Sequence, residues 1–293
     1  MDYGLCLPNF RDGASREGME AGAETARRLG WSTVWTTDHV MVPRSAADDY
    51  GTNYDAIAVL AWIGARFPEL KLGTSVIVVP QRNAVVLAKE LASIDALSGG
   101  RLIAGVGAGW NEEEFANLGV ADRFHVRGAY LDETIDLWRH LWSGSREPFE
   151  GRFHRSDDFV FAPLPAQGGA VPIVVGGRAE PALRRAGGKG DWYHSSATSA
   201  AKYAQRVPVI RAAADAAGRP MPRLTARAWT EFGAATSDHY AIRGSVEEMV
   251  AEIRAFAALG VDHLAVWFDA TDPDELVQLM ERFGRQVVPA VEI

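Results

Sequence analysis

The chain has 293 residues, 23% charged and 47% hydrophobic, with a formal net charge of -8 and a single cysteine. No apolar run approaches the roughly 20 residues that span a bilayer, and no basic block or aromatic-studded basic face offers itself to nucleic acid. Cys6 alone excludes an internal disulfide or a thiolate metal cluster, and its place in an apolar run reads as a buried thiol rather than a nucleophile. The opening MDYGLCLPNFRDG has no basic region followed by an apolar stretch, so it reads as lacking a secretory signal, and a cytoplasmic location is expected.

Residues 3–8 form a short apolar run, and 15–29 show helical spacing, with Met19, Ala23, Ala26 and Leu29 on one side. The strand signal returns at 32–36. A polar loop follows, then a helix at 57–67, a strand at 70–79 rich in β-branched residues, and a helix at 84–97. Residues 101–107 read as a fourth strand, followed by a broken helix at 111–118 and 128–142. Segment 143–170 interrupts the rhythm with glycines, prolines and the triplet FVF at 159–161, the pattern of a surface insertion containing a small hairpin. The alternation resumes with a strand at 171–175, a helix at 178–186, a strand at 191–194 and a helix at 199–217. A strand at 223–231 precedes a helix at 245–259, capped by Ser245 with Glu248 three residues on; a strand at 263–268 and a helix at 273–284 close the series. Eight strand–helix units predict an α/β fold, a (β/α)8 TIM barrel with insertions at the C-terminal ends of strands, as one domain over residues 1–293. A doubly wound open sheet is the other architecture compatible with this alternation.

A barrel builds its active site at the C-terminal ends of its strands. That rule selects Asn9, Asp38 and His39, the residues 75–80, Gly107 to Trp110, Gly176 to Arg178, His194, 229–231 and Asp269. No lysine falls at a strand end, which disfavours Schiff-base chemistry. The spacing of Asp38, His39, His194 and Asp269 does not require a metal, and none is expected. Asp38-His39 is the most reactive-looking pair, since an imidazole titrates near neutral pH and a neighbouring carboxylate can orient it. The same two residues also read as an ordinary hydrogen-bonded loop.

The stretch RLIAGVGAGWNEEEF at 101–115 reads as strand, glycine turn and helix start. Two readings fit it. Backbone N–H groups and the helix dipole can seat a phosphate, or Asn111 and Glu114 can simply form a reciprocal cap, with Glu114 reaching back to the Asn111 amide. Gly176-Gly177-Arg178 repeats the turn after the fifth strand and adds a guanidinium suited to phosphate. Two neighbouring seats can hold one phosphorylated cofactor.

The pieces GLCLPN, WTTDHV, LGTSVIVVPQRN, LAKELASIDALSGGRLIAGVGAGWNEEEF and PIVVGG, in this order and spacing, carry a resemblance that continues to IRGSVEEMV near the end. The chain resembles the luciferase-like flavin-dependent superfamily, and within it the oxidoreductases that use coenzyme F420, a deazaflavin. The resemblance implies hydride transfer between F420 and a small organic substrate; FMN-dependent monooxygenation with reduced flavin and oxygen is the alternative. It also implies a homodimer. It places Asp38 and His39 beside the deazaflavin ring, with His39 assisting proton movement. It implies a bulge at Thr74, Ser75 and Val76, often with a cis peptide at Ser75–Val76, against the back of the ring. The turns Gly107, Ala108, Gly109, Trp110 and Gly176, Gly177, Arg178 then hold the ribityl chain and phosphate. The sugar-phosphate dehydrogenases of this group have a glutamate where this chain has Trp110, so a carboxylic acid proton donor is missing. Trp110 is expected to form an apolar or stacking wall instead.

Overall fold

The structure, a computed structural model, describes residues 1–234 and 240–292. Its centre is a ring of eight strands: β1 (Asp2–Cys6), β2 (Thr33–Thr36), β3 (Lys71–Thr74), β4 (Leu102–Gly107), β5 (Ile173–Gly176), β6 (Trp192–Ser196), β7 (Arg223–Phe232) and β8 (Val261–Trp267). Each pairs in parallel with its sequence neighbours, and β8 pairs with β1, so the ring of eight is closed. Helices α1 (Arg16–Arg28), α2 (Ala56–Arg66), α3 (Ala84–Ser98), α4 (Arg127–Trp142), α5 (Glu180–Lys189), α6 (Val207–Ala216), α7 (Val246–Ala258) and α8 (Pro273–Arg282) follow the successive strands. This is the barrel that the alternation of runs predicts.

Polar caps start the helices where the chain turns back from the strand ends. Ser15, Asp55, Asn83 and Asp272 each accept backbone N–H bonds in the first turn, and Ser245 with Glu248 forms the predicted capping box. The period-2 strands divide their side chains between two cores. One, between sheet and helices, includes Leu5, Val34, Leu72 and Ile173 together with aromatics such as Trp138 and Phe283; the other fills the barrel with Cys6, Phe10, Trp35, Ile103, Val174, Ala265 and Trp267.

Two expectations need correction, and one strand was not expected. The apolar run at 70–79 is not one strand: β3 ends at Thr74, pairing resumes at Ile77–Val78 against β4, and a 3-10 turn follows over Val79–Gln81. The predicted helix at 199–217 is two, Ala200–Ala204 and α6, because Pro208 has no N–H and suits only the first turn of a new helix. An unpredicted strand, Ala241–Gly244, pairs with β7. The small hairpin expected in segment 143–170 is present, at Phe149–Glu150 and Arg155–Ser156, and the Glu133 carboxylate of α4 accepts the N–H groups of Arg152, Phe153 and His154 at its tip. This segment joins α4 to β5 and is therefore rooted at the N-terminal end of the barrel. The long connections at the C-terminal ends of strands are 37–55 and 108–126.

Candidate active site at the mouth of the barrel

Strands β3, β4 and β5 are neighbours, so the stretches 74–76, 107–110 and 176–178 end side by side. Val78 is level with Gly107, and Val106 with Val175. The Thr74 hydroxyl donates to the Gly105 carbonyl (2.7 Å) and the Gly105 N–H donates back to it (2.9 Å), which pins the end of β3 to β4. The Ser75–Val76 peptide is cis. Val76 then lies against both glycine strands: a Cβ would come within 2.6 Å of its side chain at Gly107 and 2.8 Å at Gly176. Gly109 (φ 82°) and Gly177 (φ 128°) turn the backbone where a side chain is disfavoured, and the Tyr193 hydroxyl fixes the Gly177 carbonyl at 3.0 Å. Ala108 packs on the outer core, while Arg178 is exposed without an ion partner among the described residues.

His39 is buried above this floor, and its partner is not Asp38. Its Nδ1 lies 3.0 Å from Glu114 Oε2, and Glu114 Oε1 accepts the Val40 N–H at 2.8 Å. Asn111 does cap Glu114 N at 3.1 Å, but the expected return bond is absent, because the glutamate side chain turns to the two donors on β2's loop. Burial pushes the Glu114 carboxyl up, yet the His39 ring, the Gln81 amide beside it and the Val40 N–H together hold its pKa below the usual value. An ionised carboxylate only accepts, so Nδ1 carries the proton and Nε2 is the nitrogen left for chemistry. Tyr50 and Trp110 wall the ring, at centroid distances of 4.1 and 6.1 Å. Trp110 keeps 59% of its surface exposed, so it shapes the mouth rather than filling a core.

Asp38 does a different job from the one its position beside His39 suggests. It accepts the Val78 N–H (3.0 Å) and pairs with Arg82 (2.5 Å), which also reaches Asp55 (2.8 Å). Burial disfavours the Arg82 charge, but Asp38 and Asp55 outweigh it and hold the pKa above the ordinary arginine value. Asp38 thus ties β2 to the interrupted β3. Asn9 is likewise a fastener: its amide bonds Thr37 in both directions and reaches Asn53 and Tyr54, holding loop 37–55 across the mouth. Asp269 and Asp49 grip Arg11 from two sides (3.5 and 2.9 Å), Trp229 lies under that guanidinium, and Glu231 pairs with Arg243.

His194 is fully enclosed inside the barrel, stacked on Trp35 at 4.9 Å. The Thr225 hydroxyl gives its proton to the Tyr193 carbonyl, so it accepts from His194 Nδ1–H (2.8 Å), and Nε2 in turn accepts from the Ser75 hydroxyl (3.0 Å). Burial, with His263 and Arg227 nearby, lowers its pKa to about 3. His194 is a neutral strut under Ser75. Among the described residues no group of His, Cys, Asp and Glu is arranged to hold a metal.

Asp38, His39, Ser75 and the two glycine turns, which the sequence rule selects, lie at one mouth; the rule did not select Glu114 as the histidine's partner, nor Tyr50 and Arg82. The triplet Glu112-Glu113-Glu114 was the available signal, since Glu114 alone is buried at the inward position of that turn.

A buried, carboxylate-held imidazole over a glycine-lined floor, at the C-terminal face of a parallel barrel, defines a cofactor-assisted enzyme site. The luciferase-like monooxygenase family profile matches residues 1–270, so the chain belongs to that family. An F420-dependent glucose-6-phosphate dehydrogenase from Mycolicibacterium fortuitum is 30% identical over 249 residues, covering 76% of this chain and 73% of that protein. Among solved structures, an F420-dependent secondary alcohol dehydrogenase with an F420–acetone adduct aligns with TM-score 0.82 and 18% identity, covering 99% of this chain and 98% of that one. The FMN-bound oxygenating constituent of 3,6-diketocamphane monooxygenase from Pseudomonas putida aligns with TM-score 0.81 and 17% identity, covering 99% and 98%. At these identities the two structures share the fold with this chain, and they carry different cofactors. A second F420-dependent glucose-6-phosphate dehydrogenase, from Nocardia farcinica, is 28% identical over 301 residues, covering 91% of this chain and 88% of that protein.

Proposed function

We propose that this chain is a coenzyme F420-dependent oxidoreductase that transfers a hydride between the deazaflavin and a small organic substrate. The observation that carries the reading is the buried His39–Glu114 pair, set over the 74–76 bulge and beside two glycine turns. The residues fit a flat ring with a phosphorylated tail: the bulge of Thr74, Ser75 and Val76 forms a floor, Gly107 to Trp110 and Gly176 to Arg178 expose backbone at two turns, and the Arg178 guanidinium is open to an anion. Bound F420 supplies a ring carbon that gives or accepts hydride, which is the chemistry no side chain here provides.

The protein's own part is proton handling and enclosure. His39 Nε2 holds or releases the proton at the substrate oxygen, while Glu114 keeps the ring oriented and stabilises its charged form. Asp38 acts by holding Arg82 and the Val78 N–H, so it positions the floor beside the ring. Tyr50 and Trp110 limit water at His39. Trp110 offers no proton, so the substrate we favour is an alcohol, ketone or unsaturated compound rather than a sugar phosphate. No helix among the described residues is long and apolar enough to cross a membrane. We place the enzyme in the cytoplasm as a homodimer, on the exposed apolar side chains Val40, Met41, Tyr54, Val85 and Val86.

The test is a parallel fluorescence titration of cofactor-free protein with F420 and with FMN. Tight F420 binding and weak FMN binding are expected. The opposite preference would transfer the reading to an FMN-dependent monooxygenase, and binding of neither would remove the cofactor assignment.

A further inference from the structure

Arg227 is a cation inside the barrel with no carboxylate of its own among the described residues. It sits on β7 level with Ser196, the last residue of β6, and its Nη1 donates to the carbonyl of Ser75 (2.9 Å), just past the end of β3. These two registers put the guanidinium in the floor of the mouth rather than deep in the barrel. Phe10 and Trp267, packed on each other at 4.4 Å, lie beside it, with ring centroids 5.4 and 5.9 Å away. Arg227 is 8% exposed, and its Nε makes no hydrogen bond among the described residues; the Nε1 of Trp267, 2% exposed, also has none.

The mouth carboxylates are committed elsewhere. Asp38 is held by Arg82, Asp49 and Asp269 by Arg11, Glu114 by His39 and Glu231 by Arg243. A buried charge without a counter-charge is costly, and buried donors without acceptors add to the cost. A structural arginine could have been replaced by an apolar side chain of the same length. A guanidinium kept there, against a packed aromatic pair whose indole N–H is also unpartnered, matches a planar oxyanion that enters with a ligand.

We propose that Arg227 is an anion seat in the floor of the mouth, receiving a planar oxyanion such as a carboxylate or enolate beside the packed Phe10–Trp267 pair. The inference rests on the reading of this mouth as the substrate and cofactor site. Two sources carry that chemistry, an anionic group of the substrate or an oxyanion of the deazaflavin ring.

The experiment uses benzoate as the probe, with sodium chloride at equal ionic strength as control, on the cofactor-free wild type and Arg227→Met. Intrinsic tryptophan fluorescence and melting temperature are both read. A saturable benzoate response is expected in the wild type, weakened about tenfold or more in Arg227→Met. No benzoate response beyond that of chloride overturns the seat, and so does an equal affinity in the variant. Should the methionine variant fold poorly, Arg227→Lys keeps the charge and removes the planar fork, and the same weakening is expected. F420 titration with and without saturating benzoate then separates the sources: competition assigns the seat to the cofactor ring, and simultaneous binding assigns it to the substrate. An Arg227-dependent benzoate response without any F420 binding keeps the seat and discards the cofactor, whereas F420 binding without a benzoate response does the reverse.

Discussion

His39 follows barrel strand β2 and His194 lies within β6; both are buried, and both are hydrogen-bonded through Nδ1. Their surroundings give them opposite work. His39 has one charged partner, Glu114, and a second nitrogen directed to an aromatic-walled mouth. His194 has neutral partners on both nitrogens, Thr225 and Ser75, and no remaining position for a proton. Burial alone therefore does not make an imidazole reactive. A carboxylate that tolerates its positive charge and a nitrogen left unoccupied do.

The largest effect is expected from removing the reactive member. His39→Ala should lower turnover by about 10²- to 10⁴-fold while leaving F420 affinity nearly intact, read by steady-state kinetics beside fluorescence titration. Unchanged turnover would strip His39 of its role. Glu114→Gln narrows the difference between the two histidines by making the partner neutral, and kcat should fall about tenfold or more. The same variant tests a stability claim. The Glu114 pKa is depressed in the fold, so its contribution is present above the ordinary value of 4.5 and fades as pH falls through the depressed one; acid unfolding of Glu114→Gln should lack that part of the pH dependence.

His194→Gln is the smallest of the three for chemistry and should cost about 1–3 kcal/mol of stability by urea denaturation. Its sharper readout is pH. The folded histidine stays neutral to about pH 3 while the unfolded one takes a proton near 6.5, so wild-type stability should decline as pH falls across that window. A variant with an unchanged slope there would mean that His194 is not the buried neutral group described here.

Much of this was readable before any coordinates. Eight apolar runs separated by capped, amphipathic segments specify which parts of the chain are strands and helices, because periods of 2 and 3.6 and the capping residues Ser15, Asn83 and Ser245 are properties of neighbours in sequence. The barrel rule then converts strand ends into a site, which gathered His39, Ser75 and the glycine turns. The errors share a cause. Residues 70–79 look like one strand because nothing local marks the bulge; what holds it is Thr74 on Gly105 and Asp38 on Val78, contacts with other strands. Pro208, by contrast, was a local signal that the long helix at 199–217 breaks.

By itself, then, the sequence determined the order of elements, the closed parallel architecture and the face that carries chemistry. Only the tertiary structure decided who pairs with whom. Asp38 adjoins His39 along the chain, yet it serves Arg82, while Glu114, 75 residues away, takes the imidazole, and the Arg227 Nε finds no partner among the described residues. The reason is that periodicity and capping act over one turn of chain, whereas a hydrogen bond is set by which donor and acceptor the closed barrel brings to within about 3 Å.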